Sequence, residues 1–462
     1  SNNTAVGMDA LTANTTGTSN VSLGANSLQA NTTGAQNVAL GRNALLVNTT
    51  ASNNTAVGNA ALIANTTGAE NVALGSYTMS SNTTGVYNTG LGRLALRYNT
   101  TGTNNTAVGW SALEANTTGT YNTANGWEAL KNNTTASFNT ATGIQALKNT
   151  TTGSNNTATG RGSLESNTTG VDNTASGYYS LVSNTTGHYN TAMGREALRQ
   201  NVSGQYNAAF GQNALYNNTA SNNVAVGYDS LGANTTGSAN TAVGKVSMIG
   251  NTTGSGNTAF GYNSLSGNTT GGSNTAIGRA AGYTTTTGSY NSFLGRLARA
   301  ASATSYQENV IGYNVAGNGA GYTTVGFGSN KSWIAQGSGS WGGTSDERLK
   351  ENIASSTAGL SFINDLRPVT YKWKTKGNVP AELDSYEEGS TARINGTDKV
   401  QHGFIAQEIK ATIDAHSEIG NGHGMWSEAG DGTQGIAQGQ LVPMLVKALQ
   451  ELSAKNDALE TQ

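Results

Sequence analysis

Short apolar segments recur along the first two thirds of the chain at a fixed distance from one another. Each begins with a pentad such as Asn3-Thr4-Ala5-Val6-Gly7, and a second apolar pair follows it. The glycine that closes the pentad recurs every 17 residues from Gly7 to Gly312, apart from a single step of 16 between Gly211 and Gly227. A constant short period over so much of a chain indicates a repeat architecture.

The length of the repeat predicts a β-solenoid or β-roll, because 17 residues are too few for a helical hairpin. We expect a short strand ended by Gly7, a second segment around Ala10-Leu11, and a turn at Asn14–Gly17, since Asn and Gly are residues that tolerate positive φ. The pentad alanine and the Leu or Met of the second segment are predicted to fill a thin interior. At about 4.8 Å per coil the shaft would be on the order of 90 Å long.

The residue before each pentad glycine forms a column whose character changes along the repeats. It is apolar in most coils, but four successive coils have Asn125, Thr142, Thr159 and Ser176. A sealed core would not accept this polar run. We therefore expect the column to face a trimer axis or a groove, with ordered water or an ion beside the polar coils. A partly exposed column that tolerates any residue is the alternative.

Asparagine and proline placement agree with stacked coils. The recurring Asn-x-Thr triplets match the glycan acceptor pattern, but turn chemistry already explains them, and we expect asparagine ladders between coils. The three prolines, Pro368, Pro380 and Pro443, all follow the repeats, since a parallel ladder excludes proline from its strands. The unit resembles the repeats of phage tail fibres and bacterial fibre proteins. More loosely it is similar to the shorter head repeats of trimeric autotransporter adhesins, whose pentads also read Ala-Val-Gly.

Composition narrows the classes of function. The 462 residues carry a formal net charge of -2, so no general attraction to nucleic acid or membrane is expected. The absence of cysteine excludes thiolate metal sites and cysteine nucleophiles, and the four histidines are scattered, so we expect no metal and no cofactor. No apolar run is long enough to span a bilayer. Because the chain begins within a repeat, we expect it to be a fragment of a longer protein.

Aromatic residues occupy equivalent positions in neighbouring coils, in the pairs Trp110 and Trp127, Tyr121 and Phe138, and Tyr189 and Tyr206. Rings on a rigid shaft are candidates for contact with the sugars of a host glycan, and mutual stacking is the alternative. Acidic residues are sparse in the repeats, so a glycosidase is not expected.

Beyond the repeats the chain becomes more charged, and we predict a shaft over 1–330, a linker over 331–344, a compact domain over 345–440 and a helix over 441–462. Thr344 and Glu347 form a capping box, which predicts a helix beginning here. Lys350 would then lie within reach of Ser345. Such a pair could act as nucleophile and base if the lysine is kept neutral by burial or by a cationic neighbour such as Arg348; a capped, charged helix start is the alternative.

Several blocks of this region resemble the endosialidase-type intramolecular chaperone family, which is found at the ends of phage tail spikes and tail fibres. The opening block is Ser345-Asp346-Glu347-Arg348-Leu349-Lys350-Glu351-Asn352-Ile353, and the others are Gly359–Ile363, Leu366–Trp373, Gly403–Ile409 and Leu441–Leu452. The resemblance implies a small α+β domain that assembles a trimer and then cleaves itself off, once per chain and after folding.

The resemblance also implies the chemistry: Ser345 is the nucleophile, Lys350 its base, and Ser345–Asp346 the bond that is cut. Attack of a serine oxygen on its own carbonyl closes a small, strained ring, whereas attack on the preceding carbonyl closes a larger one. Either the serine of a neighbouring protomer attacks, or the scissile bond is Thr344–Ser345. Such a single-turnover peptidase would catalyse no external reaction.

The last segment carries a heptad pattern that predicts a coiled-coil helix. Six residues follow one another at spacings that alternate between three and four, and all but Asn456 are apolar. They are Val442, Leu445, Leu449, Leu452, Asn456 and Leu459. Asn456 would set the register, and packing of the helix on its own domain is the alternative.

Together these features predict an all-β repeat shaft, an α+β chaperone domain and a homotrimer. The expected function is a phage tail fibre that attaches to a host glycan or receptor and is located in the virion. An extracellular bacterial surface adhesin with the same self-cleaving terminator is the alternative.

Overall fold

The computed structural model describes residues 2–338, 342–343, 345, 347, 350–383, 385–394, 396–419, 424–428 and 432–461. The chain divides into two compact units, Ser1–Thr344 and Ser345–Gln462, which we call the shaft and the C-terminal unit.

The shaft is built on a ladder of three-residue strands, one in each coil. Each strand pairs in parallel with the strand of the next coil, so that Thr106 lies opposite Thr123. This confirms the predicted β-solenoid of 17-residue coils. The strands are β1 Thr4–Val6, β2 Val21–Leu23, β3 Val38–Leu40, β4 Thr55–Val57, β5 Val72–Leu74, β6 Thr89–Leu91, β7 Thr106–Val108, β8 Thr123–Asn125, β9 Thr140–Thr142, β10 Thr157–Thr159, β11 Thr174–Ser176, β12 Thr191–Met193, β13 Ala208–Phe210, β14 Val224–Val226, β15 Thr241–Val243, β16 Thr258–Phe260, β17 Thr275–Ile277 and β18 Ser292–Leu294.

The interior of the shaft is as thin as predicted. In most coils after the first, the middle residue of the strand, such as Ala107, and the leucine of the second segment, such as Leu113, are fully buried in one cluster that runs from coil to coil. Because successive strand residues point to opposite faces, the first and third residues of each strand point outward and are partly or fully exposed.

Each coil turns sharply because several of its residues adopt left-handed backbone conformations. Leu113 has a φ of 51°, and the pentad glycine Gly109 has a φ of 130°. A Cβ on Gly109 would lie 2.5 Å from the carbonyl oxygen of Gly126, so glycine is needed for close stacking as well. Asn14 and Gly17 lie at the predicted turn, but neither residue uses the positive φ that it tolerates. Their turn is closed by side-chain hydrogen bonds instead, and the segment around Leu11 is itself a turn.

Two columns of buried asparagines run beside the aliphatic core, which confirms the expected ladders. In the first, Asn99 Nδ2 donates to Asn82 Oδ1 at 2.8 Å and to the Gly102 carbonyl at 3.0 Å. In the second, Asn54 Oδ1 accepts from the backbone N–H and the Nδ2 of Asn71, at 3.0 and 3.2 Å. These amides pair polar groups that a buried turn would otherwise leave unsatisfied.

The first ladder is interrupted at Thr150, which stands where other coils have asparagine. Asn133 Oδ1 and Thr150 Oγ1 are buried there without a hydrogen-bond partner. We expect Thr150→Asn to restore the donor to Asn133 and to stabilise the shaft by about 1 kcal/mol. A rise in the denaturant midpoint of the strand signal in circular dichroism would show this gain.

Two further variants control this prediction. Thr285→Asn should give a similar gain, because Thr285 Oγ1 and Asn268 Oδ1 are unpaired in the same way. Thr152→Asn changes an exposed residue two positions away and should leave the midpoint almost unchanged. Equal shifts for Thr150→Asn and Thr152→Asn would contradict the assignment.

The last coils close the end of the ladder. Strand β19 Asn309–Tyr313 pairs in parallel with β18 and with β20 Tyr322–Phe327, while β21 Asn330–Ala335 and β22 Gly342–Gly343 continue in antiparallel fashion. Glu308 replaces the ladder asparagine and accepts from the backbone N–H groups of Ala301 and Gly319. An antiparallel hairpin covers an edge that would otherwise recruit other strands. The shaft therefore extends into the segment predicted as a linker over 331–344.

The C-terminal unit is a small α+β structure, as predicted. Its elements are α1 Leu360–Asp365, β23 Val369–Tyr371, β24 Gln401–Gly403, α2 Ala406–Ala415, β25 Trp426–Glu428, β26 Gln434–Ile436 and α3 Leu441–Glu460, with short 3-10 turns at Lys376–Asn378, Ser417–Ile419 and Gln438–Gln440. Strands β23 and β24 form one antiparallel pair, and β25 and β26 another. Phe362 is fully buried, and it belongs to the same core as Ile409, Met425 and Met444.

The N-terminus of helix α1 is capped by a carboxylate from α3. Glu451 Oε2 accepts the Leu360 backbone N–H at 2.8 Å, and a Cβ on Gly359 would lie 2.5 Å from that carboxylate. This hydrogen bond lowers the pKa of Glu451. The contact explains why the Gly359–Ile363 block and the C-terminal block occur together.

The helix predicted to begin at Thr344 falls largely outside the described residues. Thr344, Asp346, Arg348 and Leu349 are not described, and residues 350–359 form no helix. Residues 350–357 are exposed, whereas Ala358 is buried in the core of the unit.

Candidate active site

The two residues predicted as a catalytic pair lie in contact at the start of the C-terminal unit. Lys350 Nζ donates a hydrogen bond to Ser345 Oγ at 2.7 Å. This distance lies within the range for direct proton transfer between a nucleophile and its base.

A short-range backbone hydrogen bond accompanies the contact of the pair. The Lys350 backbone N–H donates to the carbonyl of Glu347 at 3.0 Å. Asp346, predicted on the far side of the cut bond, lies outside the described residues, as do Thr344 and Arg348. The structure therefore describes the contact between Ser345 and Lys350 but not the bond between Ser345 and Asp346.

Both side chains of the pair are exposed in the single chain. A lysine that serves as a base works in desolvated or cationic surroundings. A single chain thus brings Ser345 and Lys350 into contact but leaves both exposed to water. Groups that exclude water from the pair would have to be supplied by another chain.

The aromatic residues predicted to pair along the shaft do stack on one another. The ring centroids of Trp110 and Trp127 lie 5.8 Å apart with planes inclined by 15°. The Tyr121–Phe138 and Tyr189–Tyr206 pairs have centroids 5.1 and 5.0 Å apart, with planes inclined by 4° and 8°. Each ring therefore turns one face toward its partner, and contact with a glycan stays a prediction.

A buried carboxylate beside the tryptophan pair was missed by the sequence analysis. Glu128 Oε1 accepts from Lys131 Nζ and Glu128 Oε2 from Lys148 Nζ, both at 2.7 Å, and Gln145 Nε2 donates to Oε2 at 3.1 Å. Burial raises the pKa of Glu128, but these hydrogen bonds outweigh it and lower the pKa to about 2. Glu128 thus holds two lysines from successive coils beside the stacked rings of Trp110 and Trp127.

Helix α3 has two apolar faces. Leu441, Met444 and Ala448 are buried against the unit. The apolar residues of the predicted heptad seam, by contrast, are 44–70% exposed, and they are Val442, Leu445, Leu449, Leu452 and Leu459. Packing of the helix on its own unit therefore uses a different face and leaves the seam open.

A histidine between two carboxylates joins elements that are distant in sequence. His416 Nε2 lies 2.9 Å from Asp365 Oδ2, and His416 Nδ1 lies 2.6 Å from Glu418 Oε1. The ring is mostly buried and meets Phe362 edge-on. The hydrogen bonds to Glu418 and Asp365 raise the pKa of His416. The sequence pattern does not predict this cluster, because Asp365 lies 51 residues before His416.

We expect the C-terminal unit to lose stability as the pH rises. Protonated His416 is favoured in the folded state, so its contribution is present below the ordinary imidazole pKa of about 6.5 and is lost as the pH rises through the higher folded pKa. The denaturant midpoint of the helix signal, which reports on α1, α2 and α3, should fall between about pH 6 and about pH 8.

His416→Gln should flatten this pH dependence, whereas His402→Gln, which changes an exposed histidine on β24, should preserve it. Below the pKa of about 4.3 that glutamate has in an unfolded chain, stability should fall again, because the hydrogen bond with His416 lowers the pKa of Glu418. A midpoint that is constant with pH in the unchanged chain would contradict the role of this cluster.

A β-solenoid shaft followed by a small α+β unit with a serine–lysine pair at its start defines a fibre with a C-terminal chaperone. Residues 345–417 match the family described as the chaperone of endosialidase. The C-terminal unit is therefore an intramolecular chaperone domain, and the whole arrangement fits a tail fibre. Neither a curated protein nor a solved structure matches the chain significantly. Among the described residues, no helix is both long and apolar enough to cross a bilayer.

Proposed function

We propose that the chain forms the shaft of a homotrimeric phage tail fibre that serves in host attachment, and that its C-terminal unit directs trimerisation and then cleaves itself off. The observation that carries the proposal is the 2.7 Å contact between Lys350 Nζ and Ser345 Oγ in the region that matches a chaperone family. The shaft would remain as the mature fibre, and the released piece would be about a quarter of the chain, Ser345–Gln462.

The proposed cleavage is an acyl transfer followed by hydrolysis. Ser345 Oγ attacks a peptide carbonyl, while neutral Lys350 takes the hydroxyl proton and passes it to the departing amine. Water then hydrolyses the resulting ester and leaves a new carboxylate. If the serine acts within its own chain, the preceding carbonyl is the favourable target; if it acts on a neighbouring chain, Ser345–Asp346 is accessible to it.

Exposure of the pair supports cleavage after assembly rather than before it. In one chain both side chains contact water, and a lysine base requires desolvation. We propose that neighbouring copies cover the pair when they come together. Cleavage then marks a completed trimer.

The open seam of α3 supports a role in bringing the copies together. A heptad face that is left exposed by the described residues of its own unit is typical of a helix that packs against copies of itself. Parallel ladders form slowly and expose their edges meanwhile, so a rapidly associating terminus would reduce misassembly. The stacked aromatic pairs are the proposed glycan contacts of the mature shaft.

The proposal is tested by producing the whole chain and a chain that ends at residue 338. The whole chain should give two bands on a denaturing gel and a soluble trimeric shaft, whereas the shortened chain should aggregate or remain monomeric. The intact mass of the small band distinguishes cleavage before Ser345 from cleavage after it. A single intact band together with normal assembly of the shortened chain would overturn the proposal.

A further inference from the structure

The outer side of the strand ladder carries an apolar column with one polar interruption. It consists of the third residue of each strand from β1 to β19, and fifteen of these nineteen residues are apolar. We call these fifteen residues the stripe. They are Val6, Leu23, Leu40, Val57, Leu74, Leu91, Val108, Met193, Phe210, Val226, Val243, Phe260, Ile277, Leu294 and Ile311.

The stripe exposes more apolar surface than a solitary soluble protein usually does. Ten of its side chains are at least 37% exposed. The fifteen together expose roughly 1,000 Å², compared with the few hundred Å² of a typical monomer's largest patch. That area is similar to the roughly 800 Å² that each partner buries in a standard interface.

The strand surface that carries the stripe is uncharged. Neither the first nor the third residue of any strand from β1 to β19 is Lys, Arg, Asp or Glu. Charged residues begin beyond the end of the strands, where Arg195 and Arg279 lie two residues after Met193 and Ile277. Depletion of charge is what distinguishes the centre of a protein–protein interface.

The spacing of the stripe identifies its partner. A matching surface must repeat about every 4.8 Å, the distance between neighbouring strands, over nineteen rungs. Another copy of this shaft has that period. We propose that copies of the shaft pack against one another through their stripes, parallel and in register. This inference rests on the proposed trimeric fibre and assigns the face that its copies share.

A polar interruption gives the stripe its register. In strands β8 to β11 both outward residues are polar, with Thr123 and Asn125 at one end of this block and Thr174 and Ser176 at the other. A shift by one rung would place the amide of Asn125 or the hydroxyl of Ser176 against an aliphatic or thioether side chain. The cost of such unpaired polar groups favours the arrangement in which the block meets itself.

The rest of the stripe marks the register only weakly. An apolar residue would face an apolar residue after most shifts among the other rungs, because the coils are nearly identical. A repeat of this kind is prone to slippage where the pattern lacks such marks.

Cysteine reactivity tests the interface, since the unchanged chain has no cysteine. Phe260→Cys lies in the stripe, and Tyr262→Cys lies outside it in the same coil; the native side chains are 41% and 48% exposed. In the assembled full chain, maleimide should modify Phe260→Cys at least about tenfold more slowly than in urea, whereas Tyr262→Cys should change by less than about threefold.

Three outcomes separate the possibilities. Slow modification of Phe260→Cys alone supports the inference. If the full chain is oligomeric and Phe260→Cys reacts nearly as fast as in urea, the stripe is not the interface, although the proposed fibre stands. If the full chain is monomeric by sedimentation, both the inference and the proposed trimer are wrong.

Spin labels test the register. Ile277→Cys carrying a nitroxide should give one narrow interchain distance in the full chain. Changing Asn125, Thr142, Thr159 and Ser176 to valine should broaden that distribution toward longer distances, in axial steps of about 4.8 Å. A distribution that stays narrow in this variant would show that the polar block does not set the register.

Discussion

Ser345→Ala should leave the chain whole. The change removes the attacking oxygen and keeps the backbone, so the rate of cleavage should fall by at least about 10³-fold, as it does when other serine enzymes lose their nucleophile. The denaturing gel should show one band at the full 47.1 kDa in place of two. Because Ser345 is exposed and its Oγ contacts Lys350, which is exposed as well, the fold of the unit should not change.

Lys350→Arg should have the same effect for a different reason. Arginine keeps the positive charge and can still donate to Ser345 Oγ, but a guanidinium cannot be deprotonated and so cannot act as a base. Ser355→Ala and Lys372→Arg change exposed residues of the same types and should cleave normally. Cleavage by Lys350→Arg at the normal rate would mean that Lys350 only positions the serine.

Asn54→Ala should destabilise the shaft more than the small loss of side-chain volume suggests. Asn54 is fully buried, and its Oδ1 accepts the backbone N–H of Asn71 in the next coil. The variant leaves that buried N–H without an acceptor and breaks the ladder, at an expected cost of about 2–3 kcal/mol. Hydrogen exchange of the amides in β4 and β5 should become faster accordingly.

The matched control for this change is Asn59→Ala. Asn59 belongs to the same coil but is exposed, so its loss should alter stability by no more than about 0.5 kcal/mol. Equal protection of β4 and β5 in the two variants would show that the ladder contributes little to holding neighbouring coils together.

The repeat architecture could be predicted because period and chemistry agree in every coil. The spacing of Gly109 and Gly126 indicates the length of a coil, and the near-constant Ala and Leu positions indicate its interior. The left-handed conformation of Leu113 could not be foreseen, since a bulky residue rarely adopts it. This backbone conformation is imposed by stacking on the neighbouring coils. Stacking depends on many coils together, so the sequence of one coil does not reveal it.

The candidate site was predictable in part. Ser345 and Lys350 were found from spacing and resemblance, and their contact needs only a local turn. The contacts that support the unit join distant segments: Glu451 caps α1, and His416 links Asp365 with Glu418. A single sequence offers no signal for such pairs. The capped helix start predicted at Thr344 falls largely on residues outside the described ones and stays a prediction.

Native mass spectrometry of the freshly produced full chain tests the central claim most directly. Our account predicts a complex of three shafts, each ending beside Ser345, together with a separate fragment of about a quarter of the chain. An intact, monomeric chain would contradict both the assembly and the self-cleavage that we assign to the C-terminal unit.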